Sequence, residues 1–240
     1  MEVEIWSDVM CPFCYIGKRK FEAGLAQFAH KEDVTITWKS FQLNPAMETD
    51  PSKNINQYLA DIKGWSLEQA EQMNARVTDI AREVGLDYHF DQAIVANSWD
   101  AHRFIQLAKK HGLGDAAEER LFRAYFTEGK NTADHATLVE LGEGIGLDTS
   151  EIEAMLVSDD YTDAVRQDVY EAQQLGVRGV PFFVINRRYA VSGAQQPETF
   201  QGALETAWAE WAQQNATLVS ANESDATCTQ EEGCVLPDSK

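Results

Sequence analysis

Val3 and Ile5 alternate with Glu2 and Glu4 at the start of the chain, a period of two that predicts a strand over MEVEIWSD. Phe21, Leu25 and Phe28 then recur at the spacing of one helix face. VTITWKSFQL, rich in β-branched and aromatic residues, predicts a second strand that ends at Asn44-Pro45, where proline stops the pairing. From Pro45 to Leu175 the period is helical almost throughout. One apolar face carries Ile55, Tyr58, Leu59 and Ile62, and another Met73, Val77, Ile80 and Val84. Phe104, Ile105 and Ala108, then Leu121, Phe122 and Tyr125, continue the series, and Tyr161, Val165, Val169 and Ala172 mark a last long helix. Ser150 with Glu153 reads as a capping box, and Gly85, Gly112, Gly146 and Gly176 fall at helix ends.

Strand signals return in VPFFVIN and YAVSG, with Asn186-Arg187-Arg188 as the turn of a hairpin. QPETFQGALETAWAEWAQQ closes with an amphipathic helix, Phe200, Leu204, Trp208 and Trp211 along one side and Pro197 near its first turn. From Asn215 the chain is polar, acidic and without period, so residues 215–240 read as a tail. A strand–helix–strand opening calls for a parallel pair joined by a right-handed crossover. The predicted organisation is therefore α/β. Residues 1–45 and 176–214 form one discontinuous domain around a single sheet, and residues 46–175 are a helical insertion.

At 240 residues the chain suits one large domain or a domain with a sizeable insertion. No apolar run approaches the roughly 18 residues of a membrane span, and the start lacks a secretory pattern, so a cytoplasmic location is expected. The net charge of −19 repels phosphate backbones and anionic lipid, which argues against nucleic acid and membrane as partners.

Chemistry concentrates in Cys11-Pro12-Phe13-Cys14, directly after the first strand. A helix starting near Pro12 puts Cys11 at its N-terminus, where unpartnered N–H groups and the helix dipole favour a thiolate. Cys14 falls further inside, placed to attack a mixed disulfide formed at Cys11. Zinc asks for four ligands, usually as two clustered pairs, and no metal site is expected here. A structural bridge is disfavoured in a cytoplasmic chain, which leaves thiol redox chemistry as the main reading. Pro181, just before a strand, reads either as a tolerated first strand residue or as a cis Val180–Pro181 bond opposite the cysteines. In the second case Val180 would pair its backbone with an extended substrate segment.

These residues carry a resemblance. The Cys-Pro-Phe-Cys after strand one, the helical insertion and GVPFF before the hairpin resemble the DsbA family of thioredoxin-fold oxidoreductases. SDVMCPFCYIGKRKFE, NSWDAHRFIQLAKKHG, LFRAYFTEGKN and GVRGVPFFVIN resemble its cytoplasmic FrnE-like branch, to about Gln213. The resemblance implies a thioredoxin fold with an inserted helical domain, a cis Pro181 and Cys11 as nucleophile. It also brings in 2-hydroxychromene-2-carboxylate isomerases and kappa-class glutathione transferases, which typically carry serine at the position of Cys11.

Two further groups attract notice. Asn97 and His102 in NSWDAHRF are candidates for the groove beside the cysteines, against the plainer reading of a helix cap and a packed imidazole. Cys228 and Cys234 are a candidate second redox pair, against two tail thiols of no consequence. The segment from Gln214 to Thr227 spans roughly 45 Å when extended, and a domain of this size has a radius of gyration of about 18 Å, so the pair can reach Cys11. The functional expectation is a thiol–disulfide oxidoreductase, with disulfide isomerase activity within its chemistry. It would act on disulfide- or thiol-containing proteins, with no cofactor beyond its own redox-active disulfide and with glutathione or thioredoxin-system thiols as co-substrates. The alternatives are a glutathione-dependent isomerase or transferase and a redox-sensing, chaperone-like binding protein.

Overall fold

The computed structural model describes residues 1–214, together with the backbone of 227–229 and 233–235. β1 (Glu2–Ser7), α1 (Pro12–Gln27) and β2 (Thr35–Ser40) open the chain, and β1 pairs with β2 in parallel from Glu2 opposite Thr35 to Ser7 opposite Ser40. A small antiparallel pair follows, β3 (Asp50–Asn54) with β4 (Ile94–Val95), enclosing α2 (Ile55–Lys63) and α3 (Leu67–Glu83). Five more helices complete the insertion: α4 (Trp99–Lys110), α5 (Gly114–Phe126), α6 (His135–Gly144), α7 (Thr149–Leu156) and α8 (Thr162–Gln174). The chain then returns as β5 (Phe182–Ile185), β6 (Tyr189–Ser192) and α9 (Pro197–Gln214). β5 adds antiparallel to β1 and β6 to β5, giving a four-stranded sheet in the order β2-β1-β5-β6. This is the thioredoxin-like arrangement.

The alternation along β1 decides which face meets which layer. Val3 and Ile5 are sealed against Phe21 of α1, Phe183 of β5 and Phe200 and Leu204 of α9. Phe21 and Phe200 meet edge to face at 5.6 Å, and such a pair adds about 0.5–1.5 kcal/mol beyond its buried area. Gly24 lets the two helices touch, since a Cβ there would lie 2.5 Å from the Pro197 carbonyl oxygen. The other face is not the solvated face that Glu2 and Glu4 suggest. Trp6 packs there with Ala172, Val177 and Val184, and Glu4 is buried beside Arg187 and Lys39.

That charge layer is closed by Asp168 of α8. It accepts from the Ser40 N–H (2.9 Å) and Gln106 Nε2 (2.6 Å) and pairs with Lys39 Nζ at 3.0 Å. The Asn186-Arg187 turn has both φ angles positive (49° and 56°), the geometry of a tight hairpin whose twist matches its strands.

Three local readings are corrected. The β3–β4 pair interrupts a stretch that periodicity gives as helical, because Asp50-Pro-Ser-Lys-Asn pairs through its backbone without an alternating apolar pattern. The cap of α7 is Asp148, which accepts from Ser150 N and Glu151 N; its charged carboxylate stands closer to the orphan N–H groups than a Ser150–Glu153 box would. The tail contains two short strands, β7 (Thr227–Thr229) and β8 (Gly233–Val235), paired so that Cys228 stands opposite Cys234.

Candidate active site

β1 ends at Ser7, and the turn that follows aims the next residues into α1. The Cys11 N–H donates to the Asp8 carbonyl (2.9 Å), and the Cys14 N–H to the Cys11 carbonyl (3.0 Å). Cys11 thereby takes the N-cap position with extended backbone, and Pro12, whose φ suits a helix and which lacks an N–H to satisfy, is the first helical residue. Both thiols are unbridged, with Cys11 4% and Cys14 1% exposed. Phe13 is 40% exposed and turns to solvent, while Pro12 turns the other way. Tyr88 fixes this turn by donating its hydroxyl to the Pro12 carbonyl at 2.7 Å.

The opposite wall comes from the β5 approach. The Val180–Pro181 peptide is cis, and Cys11 Sγ lies 3.6 Å from the Val180 carbonyl oxygen. Among the described residues the Val180 N–H has no hydrogen-bond partner. Gly17 of α1 allows this wall to close in, since a Cβ there would sit 2.8 Å from Pro181 Cγ.

Beneath the cysteines lies a buried polar group that the sequence reading missed. The Ser7 side chain and the Asp8 backbone are electrostatic partners of the Cys14 thiol. Burial, with Cys11 alongside, holds its thiol well above the usual range, against the lowering effect of those two partners. Ser7 donates to Glu118 Oε1 from α5. Glu118 is 1% exposed, and burial pushes its carboxyl up to about 7 despite Ser7 and the nearby His102. One signal was available: Glu118 stands three and four positions before Leu121 and Phe122, a carboxylate inside an apolar helical stripe.

His102 and Asn97 do not line an opening beside Cys11, which corrects the groove expectation. His102 is 1% exposed, with Nε2 3.4 Å from Asp8 Oδ1, within ion-pair reach but without hydrogen-bond geometry. Burial pulls its imidazole down, yet Asp8 and Glu118 outweigh that and the net displacement is upward. Asp8 is itself sealed, its Oδ2 accepting from Leu43 N at 2.7 Å. Asn97 serves the start of α4 instead. Its Oδ1 accepts from Trp99 N (2.8 Å) and its Nδ2 donates to the Met47 carbonyl (2.7 Å), tying that helix to the loop after β2. Cys228 and Cys234 are opposed in backbone register, and their side chains lie outside the described residues.

A cavity of about 290 Å³ opens next to the turn, walled by Met10, Pro12, Leu43, Met47, Ile55 and Leu59. The apolar face of α2 thus lines a cavity as well as joining the core through Ile55, and Ile62 at the far end of the helix is 52% exposed. The Tyr125 hydroxyl, also in this lining, is buried without a hydrogen-bond partner among the described residues.

The sequence matches the profile of the DSBA-like thioredoxin domain over residues 2–205. Among curated proteins, the uncharacterized protein YwbO of Bacillus subtilis is 27% identical over 212 residues, covering 85% of this chain and 96% of that protein. Among solved structures, a probable DsbA oxidoreductase from Streptomyces coelicolor is 37% identical, with a TM-score of 0.83 over 99% of this chain and all of that one. The cytosolic disulfide reductase DsbM of Pseudomonas aeruginosa shares the fold at 19% identity, with a TM-score of 0.61 over 86% of this chain and 98% of its own.

Proposed function

The chain belongs to the family of DSBA-like thioredoxin domains, and from that premise we propose that it is a thiol–disulfide oxidoreductase working through Cys11 and Cys14. One observation carries the reading. Cys11 caps α1 with its sulfur 3.6 Å from the Val180 carbonyl, so nucleophile and substrate-binding backbone share one opening. A substrate segment adds to Val180 as an extra strand and presents its disulfide to Cys11. Cys11 attacks, Cys14 attacks the resulting mixed disulfide, and Pro12 and Phe13 flank the approach. Isomerisation uses the same attack followed by release before Cys14 acts. Disulfide- and thiol-bearing proteins are the substrates, glutathione or thioredoxin-system thiols reset the pair, and the cytoplasm is where it works. The motif likenesses favour the FrnE-like branch, with Cys228 and Cys234 as a second pair exchanging with the first.

The test is insulin reduction and scrambled-ribonuclease refolding by the full chain. Cys11→Ser is expected to abolish both, whereas Cys14→Ser should trap substrate as a mixed disulfide. Full exchange by Cys11→Ser would sink the reading. The 290 Å³ apolar cavity favours a second reading, a glutathione-dependent isomerase or transferase of an aromatic small molecule. Tight non-covalent glutathione binding to Cys11→Ser in isothermal titration would select it.

A further inference from the structure

The cavity next to the Cys11 turn is apolar at its rim and walls and polar at its buried end. Leu43 and Ile62 stand at the rim, 49% and 52% exposed, and Met47 and Ile55 are buried in the wall. Tyr125, 1% exposed, belongs to the same lining, and its hydroxyl has no hydrogen-bond partner among the described residues. Buried polar groups left in that state are rare in folded proteins. Tyr58 of α2 brings a second hydroxyl to the lining. It accepts from Asn44 Nδ2 at 2.7 Å, so its own hydrogen is left to donate. Burial, with Asp8 and Tyr58 nearby, holds the Tyr125 hydroxyl in its protonated form.

We propose that this cavity is a subsite for a tyrosine side chain of the protein substrate, one that stands within two residues of the attacked cysteine. The inference rests on the thiol-exchange reading above and names the substrates that the site prefers. Size sets the first limit. At about 290 Å³ the cavity lies at the low end of the roughly 300–1,000 Å³ typical of ligand pockets, room for one large side chain. The chemistry of the lining sets the second. Phenylalanine and leucine bring an apolar body but no oxygen for the two hydroxyls. Asparagine and glutamine bring the oxygen without the apolar body that Met47, Ile55 and their neighbours ask for. Tryptophan offers an N–H donor where two donors already stand. A carboxylate would meet the field of Asp8, which acts on the Tyr125 hydroxyl. Tyrosine supplies the body and an uncharged oxygen together. A side chain that displaces water from the cavity keeps the Tyr125 hydroxyl bonded only if it brings such an oxygen.

Position ties the cavity to the cysteines. Pro12 is the first residue of α1, directly after Cys11, and it is also part of the lining. A substrate strand laid along Val180 passes Cys11 Sγ, which is 3.6 Å from the Val180 carbonyl. Successive side chains of an extended segment point to opposite sides, so a neighbour of the substrate cysteine turns toward Pro12 and α2. The same strand therefore delivers the disulfide to Cys11 and the ring to the cavity.

The experiment uses reduced full-length protein and synthetic peptides, each with one cysteine joined as a mixed disulfide to thionitrobenzoate. Tyrosine, phenylalanine or alanine is placed in turn at each of the two positions on either side of that cysteine. Release of the coloured thiolate in stopped flow gives a second-order rate for each peptide. At one position the tyrosine peptide is expected to react about fivefold faster than the phenylalanine peptide, the effect of one hydrogen bond. The phenylalanine peptide should react about tenfold faster than the alanine peptide there, the effect of burying the ring. These comparisons use the unsubstituted protein and do not depend on any variant folding. Tyr125→Phe should bring the tyrosine-to-phenylalanine ratio down toward one. Equal rates for tyrosine and phenylalanine at every position, or a tyrosine preference that survives Tyr125→Phe, overturns the subsite. Tight binding of free 4-ethylphenol in isothermal titration, with peptide rates indifferent to the aromatic residue, assigns the cavity to a small molecule and overturns it as well. Absence of release from every peptide overturns the thiol-exchange reading itself.

Discussion

Gly17→Ala tests how the two walls of the site are held together. The added Cβ would lie 2.8 Å from Pro181 Cγ and 3.5 Å from both Pro181 Cβ and Ala194 Cβ. Carbon atoms rest at about 3.5–4.0 Å, so Pro181 must retreat by roughly 1 Å or α1 must tilt away from it. Overpacking of this kind costs about 1–3 kcal/mol. Alanine in place of glycine inside a helix returns about 1 kcal/mol. The net expectation is a loss of about 0–2 kcal/mol, with the gap between Cys11 Sγ and the Val180 carbonyl, now 3.6 Å, opened. Gly202 in α9 supplies the control, being helical and exposed with nothing within 4 Å of its missing Cβ. Gly202→Ala is expected to stabilise by about 1 kcal/mol. Urea unfolding of both variants isolates the contact as their difference, and insulin reduction should slow in Gly17→Ala alone. Equal stability changes, or equal rates of insulin reduction, would refute the close approach as the element that sets the site.

Asp168→Ala takes the side-chain acceptor from the Ser40 N–H, leaves Gln106 Nε2 only the Ser40 hydroxyl at 3.0 Å, and strips Lys39 of its 3.0 Å ion pair. Glu171 at 3.1 Å remains to Lys39, so a loss near the low end of the usual 3–5 kcal/mol, about 3, is expected in urea melts. Glu118, displaced upward, contributes stability that is complete below its ordinary value of 4.5 and is lost as pH rises through about 7. His102, also displaced upward, acts in the same sense. Between about pH 5 and about pH 8, Glu118→Gln should therefore lose less stability than the wild type, by up to about 3 kcal/mol, and identical slopes would contradict the buried carboxyl. The double variant Cys228→Ser/Cys234→Ser is expected to slow insulin reduction and shift the glutathione equilibrium of Cys11–Cys14. Identical rates and an identical potential remove the second pair from the mechanism.

Much of this architecture was legible because it is written in short-range pattern. Alternation at Val3 and Ile5, the helix starting at Pro12 and the Asn186-Arg187 turn each depend on neighbours within a few residues, and the structure places them as the sequence predicts. The β3–β4 pair escaped because backbone pairing leaves no mark on a segment without an apolar period. Glu4 misled for a related reason. Its alternation gives the correct face, but only the packing of Trp6 with Ala172 and the placement of Asp168 show that this face is covered.

The sequence by itself determined the order of elements, the position of Cys11 at a helix start and the identity of Pro181 before β5. Tertiary structure decided what those residues meet. Ser7 and Glu118 are 111 residues apart, and Cys11 and Val180 are 169 apart. Such contacts follow from the register of β1 against β5 and from how α5 packs beneath the end of β1, quantities that no local period encodes. Hydrophobic burial is non-directional and sets which faces meet. Which buried polar atoms then find one another depends on close packing of the whole molecule, so the cysteines could be read from the chain and the buried Ser7–Glu118 pair beneath them could not.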